Sequence, residues 1–265
     1  MDNVRSFFRD RFGYKSSVYV IASRLTNYFY AFLKGGLAGV SVIRAGAIPI
    51  TGKWVKLRTL AHPIFIRPVN EDISSIVNNI FREEYGQVPR EFVPKLIVDA
   101  GAYIGDTSAY FLSRYPSAKV VALEPNPVSY EIADRNLVAY GDRATLLNAA
   151  LTPEDGVVYI TGFTTGAKIS GEGQEVSGMS ISTLLSKSKF DSIDILKMDI
   201  EGHEVPVLTQ VSDDWLPRVK WLLLETHGVH IEHELLPFLE GKGFTIHRHR
   251  NVWYCQNSVQ KDHAP

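Results

Sequence analysis

The chain has 265 residues, 45% hydrophobic and 22% charged, with a formal net charge of −1. That length supplies one large α/β domain, or a domain with a small appendage, and the composition excludes disordered, collagenous and disulfide-scaffold classes. One cysteine, Cys255, cannot form an internal disulfide and no Cys/His array is spaced for structural zinc, so a reducing, cytoplasmic setting is expected.

Residues 1–63 read as a basic, aromatic-rich, mostly helical N-terminal extension. Residues 1–60 hold ten Lys/Arg against Asp2 and Asp10, while the rest of the chain is acidic. Such a segment suits anionic lipid, the acidic body itself or a second copy of the chain; nucleic acid is not expected, because no aromatic-basic motif accompanies the charge. Its helices are expected to break around Gly35-Gly36 and Gly39. Arg24 and Lys34 leave uncharged runs of nine residues within 18–43, whereas a span needs roughly 20.

Residues 54–67 look extended. Asn70 is placed to cap a helix over 71–85, where Ile73, Ile76, Val77, Ile80 and Phe81 recur at helical spacing, with Gly86 and Pro89 ending it. From residue 95 short apolar runs alternate with helical stretches. They end at Asp99, Glu124, Asn148, Asp199 and Glu225, and their continuous apolar character predicts parallel strands buried on both faces. Residues 162–192, rich in Gly, Ser and Thr, read as an irregular insertion. Residues 244–256 hold two short strands turning near Arg250-Asn251.

Ligands of open α/β sheets bind where such strands end. The first turn runs Asp99-Ala100-Gly101-Ala102-Tyr103-Ile104-Gly105-Asp106-Thr107, and Glu124 follows Gly101 by 23 residues. Gly101 permits a sharp turn, Gly105 close helix packing, and Glu124 can accept hydrogen bonds from both hydroxyls of a ribose. The G-x-x-x-G spacing departs from the pyrophosphate cradle, and Asp99 and Asp106 would repel one. A cationic, phosphate-free ligand such as S-adenosylmethionine fits better.

These motifs, with Leu123-Glu124-Pro125-Asn126 and Asn148-Ala149-Ala150-Leu151, resemble the cofactor motifs of the class I methyltransferase fold. The block Asp194-Ile195-Leu196-Lys197-Met198-Asp199-Ile200-Glu201-Gly202-His203-Glu204, followed by Glu225-Thr226-His227, resembles that of the FkbM family over about residues 64–250. The resemblance implies a Rossmann-like fold: a mostly parallel seven-stranded sheet with helices on both faces, a methyltransferase domain over 64–260 and an S-adenosylmethionine cofactor. It implies an O-methyltransferase acting on a hydroxyl of a sugar-containing, natural-product or glycolipid acceptor. By position, Asp99 and Gly101 would flank the methionine part, with Ala102, Tyr103, Gly105, Asp106 and Thr107 completing the turn. Glu124 would hold the ribose, Pro125 and Asn126 would lie beside it, Asn148 and Ala149 would border the adenine, and Tyr85 would close over the methionine carboxylate.

On the acceptor side the candidates are Lys197, Asp199, Glu201, His203, Glu225 and His227. Asp199 and Glu225, on adjacent strand ends, would orient an acceptor hydroxyl or, should magnesium bind, supply its oxygen ligands. His227 is the first choice of general base, since imidazole titrates near neutral pH. His227, His230 and His233 form an HxxHxxH series whose helical spread argues against a tridentate metal site. A nicotinamide-dependent oxidoreductase and a catalytically inactive cofactor-binding module are the alternatives.

Overall fold

The computed structural model describes residues 9, 11, 14, 16–45, 52–162 and 168–258. The aromatic residues Phe7, Phe8 and Phe12 of the basic segment lie outside them. Two compact units are present, Met1–Glu83 and Glu84–Pro265, whereas the motif limits suggested a division after residue 63.

In the first unit, α1 (Ser17–Ala45) is interrupted at Gly36, whose φ of 64° and ψ of −148° are not helical. Gly35 and Gly39 keep the helix continuous and make room instead: a Cβ on Gly39 would lie 2.1 Å from the Ala31 carbonyl oxygen and would crowd the buried ring of Phe81. Strands β1 (Lys53–Val55) and β2 (Ile64–Ile66) pair antiparallel. The following helix is shorter than its periodicity suggested. α2 (Asn70–Ser75) passes into one π-helical stretch, Ile76–Phe81, and stops there, with Glu83 at a φ of 50°. Asn70 is not its cap. The cap position is Val69, without a side-chain bond, and Asp72 fixes the start by accepting from the Arg67 backbone N–H at 2.8 Å and from its guanidinium at 2.7 Å. Among the described residues no helix is long and apolar enough to cross a membrane.

The second unit carries the expected sheet. In chain order its elements are β3 (Leu96–Ala100), α3 (Asp106–Arg114), β4 (Lys119–Leu123), α4 (Pro127–Leu137) and β5 (Ala144–Leu147). After an excursion come α5 (Ile181–Ser188), β10 (Ile193–Met198), α6 (Glu204–Thr209), β11 (Val219–Glu225), α7 (Val229–Gly241), β12 (Phe244–His249) and β13 (Val252–Asn257). The seven strands lie in the order β12-β13-β11-β10-β3-β4-β5, with β13 alone antiparallel to its neighbours. Alternation along β3 sends Leu96, Val98 and Ala100 into one core with Ile181, Leu208, Leu235 and Leu239 of α5, α6 and α7. Asp99 points to the opposite face, where Ser108 of α3 donates to it. Helices therefore cover both faces, in the Rossmann-like class I methyltransferase architecture that the resemblance implied.

The reading of 162–192 as irregular is corrected. β6 (Ala149–Leu151), β7 (Gly156–Thr161), β8 (Lys168–Ser170) and β9 (Gln174–Met179) form a second sheet in the order β6-β9-β7-β8. It closes over a small core of Ala150, Ile160 and Val176. Ser180 caps α5 through the Thr183 N–H at 3.2 Å, and Asp155 holds both residues.

Candidate active site

β3 and β10 are hydrogen-bonded neighbours although β4 and β5 intervene in the chain, so their connections leave in opposite directions and a crevice opens at their carboxyl ends. Gly101 forms its floor. Its φ is 81°, and a Cβ would fall 1.8 Å from the Asp199 carbonyl oxygen, so no side chain fits. Gly105, at the N-cap of α3, lets that helix pack close to α4, where an added Cβ would lie only 3.3 Å from Ala133 and 3.2 Å from Leu137. Ala102, Asp106 and Thr107 are buried in the same turn.

Glu124 stands at the end of β4. One oxygen accepts the Tyr103 N–H at 2.7 Å and the other the Asn126 N–H at 2.8 Å. Tyr103 makes its bond from the left-handed region, at a φ of 51°. Burial pushes the Glu124 carboxyl up to about 7, against the stabilising pull of these two N–H groups and of Lys197. Asn126 caps α4 through the Val128 and Ser129 N–H groups, with Pro127 pre-set at the first helical position. Asn148 is exposed and donates to the Glu124 and Pro125 carbonyls at 2.8 and 3.1 Å, while Ala149 opens β6 as a buried residue.

Beneath the crevice lies a buried ionic layer. Lys197 donates to the Gly101 carbonyl at 2.6 Å and lies 3.2 Å from Asp99 Oδ1 and 3.7 Å from Asp199 Oδ2. Burial works against its ammonium, but Asp99, Asp199 and Glu225 hold its pKa above the ordinary value. Ser108 completes the pair by donating to Asp99 Oδ2 at 2.6 Å. This serine was missed in the sequence reading. Its signal was a position in the first turn of the helix after Asp99, where a hydroxyl faces back toward the strand end.

The resemblance placed Tyr85 over the methionine carboxylate. The side chain is fully buried, its hydroxyl donates to Glu225 Oε1 at 2.6 Å, and its ring lies 5.7 Å from the Lys197 ammonium. It therefore positions the Glu225 carboxylate at the end of β11. Burial and the neighbouring Asp199 raise Glu225 to about 7, with Glu84 adding to the repulsion and Tyr85 and Lys197 opposing it.

The structure brings His227 together with Asp199 and Glu201. Nδ1 lies 2.9 Å from Glu204 Oε1, and Nε2 faces Asp199 Oδ1 at 3.4 Å and Glu201 Oε2 at 3.6 Å. The Glu204 bond, reinforced by Asp199 and Glu201 against partial burial, raises the imidazole to about 9. The ring that the sequence offers as first choice of general base therefore stands among three carboxylates. His203, at the start of α6, is held below the ordinary histidine value by burial. Of the oxygen pair suggested for a metal, Asp199 with Glu225, Glu225 accepts from Tyr85 through Oε1. Among the described residues the side chains that offer converging ligand atoms are Asp199, Glu201 and His227, all within 4.8 Å of one another. His230 and His233 are exposed on α7, whereas His227 precedes that helix, so the histidine series does not converge.

The model of the Methyltransferase FkbM domain matches residues 99–246, more than half of the chain. Methyltransferase sdnD of Sordaria araneosa is 30% identical over 200 residues, spanning 59% of this chain and 76% of the relative. The 31-O-demethyl-FK506 methyltransferase FkbM of Streptomyces tacrolimicus is 25% identical over 190 residues, or 57% and 73% of the two chains. Methyltransferase 1 of Beauveria bassiana is 27% identical over 188 residues, or 59% and 75%. The matched span opens at Asp99 and takes in the glycine turn, the Glu124 strand end and the Asp199–His227 cluster. With the strand order and crevice described above, this chain belongs to the FkbM methyltransferase family.

Proposed function

We propose that the chain is an S-adenosylmethionine-dependent O-methyltransferase whose acceptor is a hydroxyl of a sugar-containing, natural-product or glycolipid molecule. The observation that carries the reading is Glu124, a buried carboxylate at the strand end beside a glycine turn that no Cβ could enter. Its two oxygens spend one lone pair each on backbone N–H groups; the remaining lone pairs suit the two hydroxyls of a ribose. The absence of a second glycine two residues after Gly101, and the carboxylates of Asp99 and Asp106, disfavour a pyrophosphate and with it a nicotinamide dinucleotide. A relative whose name specifies an O-demethyl acceptor supports transfer to oxygen.

When bound, S-adenosylmethionine supplies a methyl group on an electrophilic sulfonium. The chain's own residues bind, align and deprotonate around it. Gly101 lets the backbone approach the ligand, and Lys197 with Ser108 fixes Asp99 below the turn. Glu225, held near 7 and aimed by Tyr85, is the carboxylate matched to taking a proton from an acceptor hydroxyl at neutral pH. Asp199, at the end of the adjacent strand, helps to orient that acceptor. In-line alignment can contribute roughly 7–11 kcal/mol, so a weak base suffices.

Calorimetric titration with S-adenosylhomocysteine tests the reading. Micromolar binding to the wild-type chain, lost in Glu124→Ala, is the expected result; no binding to the wild-type chain overturns it.

A further inference from the structure

We propose that Asp199 Oδ1, Glu201 Oε2 and His227 Nε2 form a binding site for a divalent transition-metal ion of the manganese or iron(II) class. The site itself stands on the geometry alone; only its use in holding an acceptor oxygen rests on the O-methyltransferase reading. Among the described residues Nε2 makes no hydrogen bond, yet two carboxylate oxygens stand off from it at 3.4 and 3.6 Å. Two ligand atoms sharing one ion at about 2.1 Å are themselves about 3.0–3.4 Å apart, so this spacing needs only small side-chain rotations to close on a cation. The other ring nitrogen is fixed by Glu204, whose side chain is completely buried and whose Oε2 has no hydrogen-bond partner among the described residues. A buried carboxylate on Nδ1 that leaves Nε2 directed at two further carboxylates is the outer-shell arrangement that orients a metal-binding imidazole.

The local backbone agrees. Glu201 and Gly202 both take left-handed conformations, at φ of 54° and 97°, which turn the chain back after β10. For a glutamate this is strained, and it is associated with the placement of the Glu201 carboxylate beside His227. Charge agrees too. Asp199, Glu201 and Glu204 all stand against the one His227 ring, a density of negative charge that a divalent ion would balance. One imidazole with two carboxylates is a mixed donor set, harder than a zinc-thiolate site and softer than an all-oxygen magnesium or calcium cage. Three protein ligands leave coordination positions for water or an oxygen-bearing acceptor.

The test is a titration of the full chain with Mn2+, followed by electron paramagnetic resonance. Binding in the micromolar range, with nitrogen hyperfine coupling that disappears in His227→Gln, is expected. Asp199→Asn and Glu201→Gln should each weaken binding at least tenfold, and Glu204→Gln by about 10–100-fold through loss of ring orientation. Glu225→Gln removes the same charge from the same crevice without removing a ligand and should change affinity less than threefold. No binding at millimolar Mn2+, no nitrogen coupling, or equal weakening by Glu201→Gln and Glu225→Gln would overturn the site. Titration of each variant with S-adenosylhomocysteine monitors folding and separates the two readings. Nucleoside binding without Mn2+ binding sinks the metal site alone, whereas Mn2+ binding without nucleoside binding sinks the cofactor reading alone.

Discussion

Two carboxylates with the same displaced titration do opposite kinds of work. Glu124 is raised to about 7 from an ordinary 4.5, chiefly by burial. A folded-state value above the unfolded one means that the apo chain holds its proton more firmly when folded, so this group's contribution to stability falls as pH rises from about 4.5 to about 7. Ribose hydroxyls require the ionised form, so nucleoside affinity should rise across the same approach to neutrality. Calorimetry with S-adenosylhomocysteine between pH 6 and pH 8 should show tighter binding at the higher pH, and Glu124→Gln should bind weakly with no such dependence. In the proposed mechanism Glu225, also near 7, governs turnover instead. Once an acceptor is in hand, Glu225→Gln should lower kcat by about 10²–10⁴-fold, leave S-adenosylhomocysteine affinity within about threefold, and abolish the rise of rate through neutral pH. The residue types at these strand ends were legible in the sequence, because runs of apolar residues announce where a strand stops. What the sequence did not disclose was which carboxylate each side chain would meet. His227 reads as a base and Tyr85 as a cofactor contact, with nothing in the sequence to bring Glu204, Asp199 and Glu201 around the first or Glu225 to the hydroxyl of the second.

The buried strands were the easiest elements to read, because a strand covered on both faces must be apolar throughout. β3, β10 and β11 follow that rule except at Asp99, Asp194, Lys197, Lys220 and Glu225. The second sheet escaped for the converse reason. β7 exposes most of its residues and β9 exposes Gln174, Glu175 and Ser177, so the sheet is held by backbone pairing and a three-residue core that no apolar run advertises. Asp72 similarly took over the task assigned to Asn70, because a carboxylate at the third helical position can reach back to the preceding backbone. Among the helices α7 is the clearest case of burial dictating stability: Ile231, Leu235 and Leu239 enter the core at helical spacing. Leu235→Ala, at a completely buried position, should cost about 2–5 kcal/mol in equilibrium denaturation. A change below about 1 kcal/mol would mean that α7 is held by something other than this face.

For the whole molecule, the division at Glu83 separates charge from chemistry. Every residue assigned to the cofactor or the acceptor lies in Glu84–Pro265, while the strongly basic segment lies in Met1–Glu83. A chain of residues 84–265 should therefore retain S-adenosylhomocysteine affinity to within about threefold. The exposed Ile21, Leu25 and Leu37 of α1 share that basic unit, so the full chain should sediment with anionic vesicles in a salt-sensitive way and the shorter chain should not. Absence of the full chain from such vesicles at every ionic strength would exclude the lipid contact. Cys255 has a practical consequence for work of this kind. It is the chain's one thiol, lies wholly inside the core beside Leu222, and is pushed by burial far above the ordinary thiol range. Thiol-directed reagents should pass it by in the native protein. A single cysteine placed on an exposed position such as Val138 would then carry a fluorophore or spin label at one defined point, without prior removal of the native residue, giving a direct optical or magnetic report on the protein in solution.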